Sequence, residues 1–365
     1  MKSGEPHSPT RAVLRAIGDL RRGVPVAVTD NGDALLVLSV ETASEAALAE
    51  LAAVKAEQPF LLLSAQRAGA LKVPGVGQGA VALAWPAWLG LADVIAVADP
   101  RLDLARPLKG PFAPRPLPRG ACAEAALELA KQAQLLPALI ALAVSQEALA
   151  AADVIRLPAA DILNFATGQA ETLRPVVDAR VPLAGAEDAR VHAFRPGDGG
   201  IEHLAIVIGD PPRRDPVLTR LHSECLTGDL LGSLKCDCGD QLKGAIAAIA
   251  TAGGGVVLYL AQEGRGIGLM NKLRAYNLQG QGFDTVDANL KLGFAVDERL
   301  FAPAATMLRQ LGFSAVRLMT NNPAKVAALG QHGIRVVERV PHRFPANPHN
   351  EAYLAAKRDR TGHLF

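Results

Sequence analysis

Three cysteines crowd into one short window, and this grouping constrains the local fold more than any other feature. Of the four cysteines in the chain, Cys225, Cys236 and Cys238 fall between residues 225 and 238. A disulfide framework does not fit, because one residue separates the last two and no fourth cysteine is near in sequence. Three thiolates, with His222 and Glu224 beside them, indicate a metal with an open position, as catalytic zinc uses. The window therefore predicts a hydrolase that activates water.

The spacing of these cysteines leaves two alternatives open. The three thiols could be free and buried, although their clustering disfavours this. They could also hold a structural zinc whose fourth ligand is His222. Soft thiolates select zinc in a cytosolic enzyme, but the pattern lacks the two CxxC pairs of a zinc ribbon. Spacing alone does not decide between a catalytic and a structural ion.

Composition excludes several classes of protein. The net charge is only +2 and aromatic residues make up 4%, which argues against nucleic acid or an anionic membrane surface as partner. Scarce, clustered cysteine is typical of a reduced cytosolic protein. The N-terminus lacks the apolar region of a signal peptide, and the apolar run Leu135–Val144 is too short to span a bilayer. We expect a soluble cytoplasmic protein.

The pattern of strands and helices predicts an α/β (α+β) protein of two domains, 1–175 and 176–365. The first half shows a hairpin signal at residues 30–33, Asp-Asn-Gly-Asp. The second half alternates strand and helix, which predicts an α/β domain. Asn322 followed by Pro323 is typical of a capped helix start.

Three further strings in the second half have both a plain and a functional interpretation. The glycine-rich run 262–268 follows a predicted strand and could present backbone N–H groups and Arg265 to a phosphate, but alone it reads as a turn. Judged without the other motifs, Asp297 and Arg299 would be an ordinary pair of solvent-exposed charges. Lys325 opposes the helix dipole near its N-terminus, so a bound phosphate would explain its position.

Taken in order, these motifs resemble a known family. RLHSECLTGDLLGSLKCDCGDQL, QEGRGIGLMNKLRAYNLQGQGFDTVDAN, LGFAVDER, RLMTNNPAKV and the C-terminal NPHNEAYLAAKRDRTGHL are similar to GTP cyclohydrolase II of riboflavin biosynthesis. The similarity runs from about Val176 to the C-terminus and implies a mixed sheet with flanking helices in this domain. It implies zinc-dependent hydrolysis of GTP to 2,5-diamino-6-(5-phosphoribosylamino)pyrimidin-4-one, formate and pyrophosphate. The resemblance also implies a homodimer.

The resemblance also assigns roles to residues. It implies a zinc ion held by Cys225, Cys236 and Cys238 that activates the water attacking C8 of GTP, and Mg²⁺ with the triphosphate. Tyr276 matches the tyrosine near the zinc, Asp297 the proton acceptor, and Arg299 the proposed nucleophile toward the α-phosphorus. Because a guanidinium is a poor nucleophile, Arg299 needs Asp297 as base or only stabilises phosphoryl charge. The substrate contacts correspond to Arg220, His222, Ser223, Glu224, Gln241, Glu263, Gly264, Arg265, Thr285, Thr320 and Lys325.

The chain departs from the family pattern at two positions. Ala261 stands where the family often has Arg, and Leu231 where an aromatic residue is common. Neither change removes a catalytic group, but the missing charge at Ala261 is expected to weaken triphosphate binding. The alternatives are a catalytically silent nucleotide-binding paralogue with a scaffold or regulatory role, or a cyclohydrolase that stops at a formylated product. Tyr276 favours the usual product.

The N-terminal half more weakly resembles 3,4-dihydroxy-2-butanone 4-phosphate synthase. That enzyme uses an acidic loop after its first strand, where this chain reads TDNGDALLVLSV and has lost most of the acids. Its metal-binding His corresponds to Cys122 in the string ACAEA. The resemblance therefore implies a domain without synthase activity, and argues against a bifunctional enzyme.

Overall fold

The structure is a computed structural model that describes residues 8–54, 57–86, 88–117 and 120–364, leaving out the side chain of residue 352. The chain forms two compact units. Unit 1 consists of the described residues up to Ala166 together with Met270–Glu298. Unit 2 consists of Thr167–Leu269 and the described residues from Arg299 onward. No described helix is both long and apolar enough to cross a membrane.

Unit 1 is built on a seven-stranded sheet in the order β5-β4-β3-β6-β2-β1-β7. Its strands are β1 (Val26–Asp30), β2 (Asp33–Ser39), β3 (Phe60–Ser64), β4 (Ala80–Ala84), β5 (Pro114–Arg115), β6 (Ala138–Ala143) and β7 (Arg156–Pro158). Its helices are α1 (Pro9–Arg21), α2 (Glu45–Ala53), α3 (Ala65–Ala70), α4 (Leu91–Ala98), α5 (Cys122–Gln132), α6 (Gln146–Ala151) and the first part of α7 (Ala159–Glu171). Alternate strand residues pack into separate cores on the two faces of the sheet.

The predicted hairpin is confirmed by the antiparallel pairing of β1 with β2. Its two central residues, Asn31 and Gly32, have φ values of 47° and 93°. A two-residue turn with positive φ at both positions matches the right-handed twist of the strands, and Asn-Gly adopts it at low cost. The local sequence therefore fixes this register.

Residues 270–298 complete unit 1 although they lie far along the chain. They form α9 (Leu269–Gly280, from Met270 onward) and α10 (Thr285–Lys291). Arg274 on α9 makes two hydrogen bonds, of 2.7 and 3.1 Å, with the carboxylate of Glu41. Asn271 Nδ2 donates to the backbone oxygen of Gln134 at 2.9 Å. These contacts tie a segment of the second half to the fold of the first.

Unit 2 is built on a second seven-stranded sheet in the order β14-β13-β11-β12-β10-β9-β8. Its strands are β8 (Arg174–Arg180), β9 (Ala189–Arg195), β10 (His203–Ile208), β11 (Val217–Ser223), β12 (Gly255–Leu260), β13 (Ala315–Met319) and β14 (Arg335–Val340). Its helices are α8 (Cys238–Thr251), α11 (Ala302–Gln310), α12 (Pro323–Gln331) and α13 (Glu351–Thr361), with the end of α7. The predicted fold class, two α/β domains with a mixed sheet in the second, is confirmed.

Strands β12, β11, β13 and β14 are parallel neighbours, so their carboxyl ends meet at one edge of the sheet. Connections at such an edge are where α/β proteins place ligands. The capped start of α12 is confirmed there, because the Asn322 side chain accepts from the backbone N–H of Ala324 at 2.9 Å. The cysteine window, the glycine-rich run and the Thr320–Lys325 loop all follow strand ends at this edge. The topology alone therefore gathers three of the predicted motifs.

Buried histidines make the stability of unit 2 sensitive to acid. Burial lowers the pKa of His203 to about 4, and its Nδ1 accepts from the N–H of Ala261 at 3.1 Å. Because an unfolded histidine titrates near pH 6.5, the unfolded state binds more protons between the two values and stability falls as pH falls. His203 alone should cost about 2 kcal/mol between pH 6.5 and pH 5.

The check is urea unfolding at both pH values. His203→Gln should lose this part of the pH dependence, whereas replacing the exposed His332 by Gln should leave it unchanged. An unaltered slope in His203→Gln would contradict the assignment.

Candidate active site

The three clustered cysteines meet at the carboxyl end of β11. Cys225 follows that strand, a single π-helical turn (Leu226–Leu230) comes next, and Cys238 is the first residue of α8. The sulfur atoms of Cys225, Cys236 and Cys238 all lie within 4.8 Å of one another. The Cys225 and Cys236 sulfurs are 3.7 Å apart. Two sulfurs bound at 2.3 Å to a tetrahedral zinc would be about 3.8 Å apart, so the group fits zinc.

Gly228 occupies the space between the three thiols. An added Cβ there would lie 2.8 Å from Cys236 Sγ, 2.9 Å from Cys238 Cβ and 3.0 Å from Cys225 Sγ. The backbone N–H of Gly228 donates to Cys225 Sγ at 3.3 Å. The backbone also passes close to itself at Gly239, where an added Cβ would lie 2.5 Å from the Gly228 oxygen. Two glycines thus let the segments that carry the cysteines come together.

The electrostatics of the thiol group also fit a cation. The hydrogen bond with Cys225, together with burial, raises the pKa of Cys236 to about 11. The pKa of Cys238 is also raised, first by its hydrogen bonds with the other two thiols. Three neighbouring thiols cannot all ionise on their own, whereas a coordinating divalent cation deprotonates them. A divalent cation bound by the three sulfurs would balance this charge.

Asp229 organises the polar groups beside the thiols. Its side chain is 6% exposed, and each of its two carboxylate oxygens lies 3.0 Å from His222 Nε2. Oδ2 also accepts from the Cys225 backbone N–H and from the Tyr259 hydroxyl, each at 3.0 Å. Burial lowers the pKa of His222, so the neutral ring donates from Nε2 and its buried Nδ1 has no protein partner among the described residues. This arrangement disfavours His222 as a fourth metal ligand through Nε2.

Two groups hold the buried Arg220 guanidinium directly. Its Nη1 donates to the backbone oxygen of Met319 at 3.0 Å, and its Nη2 to Gln241 Oε1. Gln241 Nε2 in turn donates to Asp237, the residue between two of the cysteines. Burial lowers the pKa of Arg220 to about 10, which leaves it charged at pH 7. Its Nε is buried with no hydrogen-bond partner in the described part of the chain, as is Ser223 Oγ.

The glycine-rich run supports the cysteine loop. Glu263 is buried and accepts through Oε2 from the N–H of Leu226 at 2.7 Å, and through Oε1 from the N–H of Gly264 at 2.8 Å. Gly264 and Arg265 both have φ near 64°, a left-handed conformation that is costly for arginine. Glu224 N–H donates to the Leu260 oxygen at 2.8 Å.

The loop after β13 contributes Thr320 and Lys325, both buried. Thr320 Oγ1 accepts from the N–H of Asn322 at 3.0 Å. Lys325 Nζ donates to the Leu221 backbone oxygen at 2.8 Å, so this carbonyl stabilises a lysine in the first turn of α12. The cation also lies 5.8 Å from the centre of the Phe301 ring.

Three of the predicted residues belong to unit 1. Tyr276 lies on α9, and the Lys272 ammonium is 5.7 Å from its ring centre. Thr285 begins α10 and accepts from Gln279 Nε2 at 3.3 Å, while Asp297 is exposed. Arg299 belongs to unit 2, with its guanidinium 5.6 Å from the Phe301 ring centre. The structure thus brings the cysteines and the Arg220, His222 and Lys325 side chains into one unit.

Comparison with known proteins gives the family. A family model described as GTP cyclohydrolase II matches residues 174–341. A GTP cyclohydrolase-2 from Azospirillum brasilense is 51% identical over 362 residues, 97% of this chain and 94% of the relative. The chain belongs to the GTP cyclohydrolase II family. A GTP cyclohydrolase-2 from Pseudomonas paraeruginosa (strain DSM 24068 / PA7) is 58% identical over 175 residues, 48% of this chain and 85% of the relative.

The two relatives of this GTP cyclohydrolase II family member differ in how much of the chain they match. The Azospirillum relative matches almost the whole chain, whereas the Pseudomonas relative matches about half of it. A solved two-domain 3,4-dihydroxy-2-butanone 4-phosphate synthase from A. baumannii aligns with 90% of this chain and 99% of that chain, at 16% identity and a TM-score of 0.34. The predicted boundary near residue 175 and the origin of the N-terminal half stay predictions.

Sequence reasoning assigned no role to several residues of this enzyme's site. Asp229 and Asp237 lie inside the cysteine window, where their spacing gives no sign that they accept from His222, Tyr259 or Gln241. Lys357 lies 120 positions from its partner Asp237, and no local pattern links the two. The available signal was a carboxylate, Asp237, between two clustered cysteines, because a buried charge needs a partner.

Proposed function

We propose that this enzyme hydrolyses GTP to 2,5-diamino-6-(5-phosphoribosylamino)pyrimidin-4-one, formate and pyrophosphate, with zinc held by Cys225, Cys236 and Cys238. The observation that carries the proposal is the group of three sulfurs within 4.8 Å, at a sheet edge that also presents buried cations. Zinc bound there would supply Lewis acidity for an attack by water on C8. Family membership supports GTP as the substrate.

The residues around the thiols would bind and orient the nucleotide. Arg220 and Lys325 are buried cations that favour phosphate oxygens. His222 Nδ1, fixed as an acceptor by Asp229, suits an N–H or O–H donor of the nucleoside. Ser223, Glu224, Gln241, Glu263, Gly264, Arg265, Thr285 and Thr320 remain the proposed substrate contacts.

We assign the phosphate and second hydrolytic steps to three further groups. Arg299 would stabilise charge at the α-phosphorus, with Asp297 as the proton acceptor and Mg²⁺ balancing the triphosphate. Tyr276 would act near the ring that is opened. The covalent step through Arg299 is not required by this proposal, because a guanidinium stabilises phosphoryl charge without deprotonation. We also expect a homodimer in the cytoplasm.

The test is turnover of purified protein with GTP, zinc and magnesium. Formate should be released with one diaminopyrimidine and one pyrophosphate per GTP, followed by absorbance and mass. A folded, zinc-loaded protein that binds GTP without turnover would overturn the proposal in favour of a silent paralogue. A product that retains the formyl group would show that the reaction stops after ring opening.

We further propose that the N-terminal half has the ancestry of a synthase domain but no synthase activity. Cys122, at the position of the expected metal-binding His, is fully buried, and burial raises its pKa to about 11. Unlike the three clustered thiols, Cys122 belongs to no group of three candidate metal ligands among the described residues. Incubation with ribulose 5-phosphate and Mg²⁺ should give no 3,4-dihydroxy-2-butanone 4-phosphate, and formation of that product would contradict the proposal.

A further inference from the structure

The C-terminal helix α13 lies beyond the region that the family model matches, residues 174–341. It nevertheless reaches the cysteine group. Lys357 Nζ donates to Asp237 Oδ1 at 2.9 Å, and the two side chains are 11% and 3% exposed. Asp237 stands between Cys236 and Cys238. One side chain of the helix is thus bonded directly to the turn that carries two of the proposed zinc ligands.

From Asp237 the contacts continue to Arg220. The second carboxylate oxygen of Asp237 accepts from Gln241 Nε2, and Gln241 Oε1 accepts from Arg220 Nη2. Arg220 Nη1 is fixed to the Met319 oxygen at 3.0 Å. With both terminal nitrogens engaged, the guanidinium plane is set, and the buried Nε has no partner among the described residues. Three consecutive bonds therefore connect α13 to a donor that is left for a ligand.

The end of the chain docks independently of this ion pair. The N–H of Leu364 donates to the Asn321 oxygen at 2.8 Å, in the loop after β13. Asn350, which precedes α13, is 1% exposed. The Tyr353 ring lies 4.2 Å from the Lys357 ammonium and covers it. Several contacts hold the helix, so the lysine is not needed merely to attach it.

A buried ion pair is an inefficient way to stabilise a fold, because desolvation offsets most of the Coulomb attraction. It does fix geometry, because an unpaired carboxylate in that position would be strongly unfavourable. We propose that Lys357 is a positioning residue for the zinc and nucleotide site. It holds Asp237, which fixes the Cys236–Cys238 turn and, through Gln241, aims Arg220 at an anionic oxygen of a nucleoside triphosphate.

The part of this inference that concerns Arg220 rests on the proposed function, whereas the part that concerns the metal turn does not. The test therefore uses two readouts on the full chain. Lys357→Met keeps the length of the side chain and removes its charge. We expect zinc affinity, measured by competition with a chromogenic chelator, to fall about tenfold or more. We expect KM for GTP to rise about tenfold or more with a smaller change in kcat.

Two comparisons make the result decisive. Lys243→Met, at an exposed position on α8, should change neither readout. The double variant Lys357→Met with Asp237→Asn leaves no unpaired charge, so it should recover stability while KM stays high. If Lys357→Met lowers only stability, and the folded fraction keeps zinc affinity and KM, the positioning role is wrong. If the parent does not turn over GTP, the proposed function fails, and the zinc measurement still tests Lys357.

Discussion

Gly228→Ala is expected to abolish zinc retention and GTP turnover together. The new methyl group would lie within 3.0 Å of both Cys236 Sγ and Cys225 Sγ, and 2.9 Å from Cys238 Cβ. Carbon and sulfur in contact need more than 3.0 Å, so at least one thiol must move out of the group. We expect a loss of about 100-fold or more in zinc affinity, at the upper end of the effect of residues that orient metal ligands. Zinc content after gel filtration and formate release measure the two effects.

The matched control is Gly330→Ala in α12. An added Cβ there meets nothing within 4 Å, and neither Gly228 nor Gly330 has a positive φ. Neither variant therefore introduces left-handed backbone strain, and the close contact with the thiols is specific to Gly228→Ala. Gly330→Ala should keep zinc and activity and gain about 0.5–1 kcal/mol from the helix. Zinc retained at parental affinity in Gly228→Ala would show that the thiols do not hold the ion as proposed.

Asp229→Ala is expected to cause the largest loss of stability in unit 2. The substitution removes the carboxylate that three donors share. These donors are His222 Nε2, the Cys225 N–H and the Tyr259 hydroxyl. Each buried donor left without an acceptor costs about 1–3 kcal/mol, so the three together should lower the free energy of unfolding by about 3 kcal/mol or more. Urea denaturation followed by circular dichroism gives the value. Zinc content should fall as well, because the Cys225 segment loses its anchor.

Asp229→Asn separates the structural part from the chemical part. The amide oxygen can still accept from Tyr259 and Cys225, but its NH₂ group would face His222 Nε2. The imidazole must then carry its proton on Nδ1, which turns the proposed acceptor toward the substrate into a donor. We expect modest destabilisation with a large rise in KM for GTP. Asp210→Asn, whose side chain is 98% exposed in the parent, should change neither quantity.

The sequence was sufficient to predict those features that are formed by residues close together in the chain. Residues 30–33 predict the hairpin because Asn-Gly selects one turn type, and Asn322-Pro323 predicts the start of α12 for an equally local reason. The grouping of the three cysteines is confirmed because their spacing is short and three thiols rarely cluster without a ligand.

Long-range partners could not be predicted in this way. β11, an interior strand that delivers Arg220 and His222, carries no alternating pattern, because it is buried on both faces. The bond between Lys357 and Asp237 joins two residues with no shared motif. The packing of residues 270–298 with the first half depends on Glu41 and Arg274, and each alone is an ordinary charged residue.

The late position of residues 270–298 in the chain determines when unit 1 can complete its fold during synthesis. Unit 1 remains incomplete on the ribosome until Glu298 has emerged, because Arg274 and its helix come late in translation. By then strands β8 to β12 of unit 2 are already outside. We therefore expect the two units to mature concurrently rather than one after the other, with contacts of high sequence separation that slow folding. A gene split near residue 175 would separate Glu41 from Arg274, so neither fragment would carry a complete unit 1.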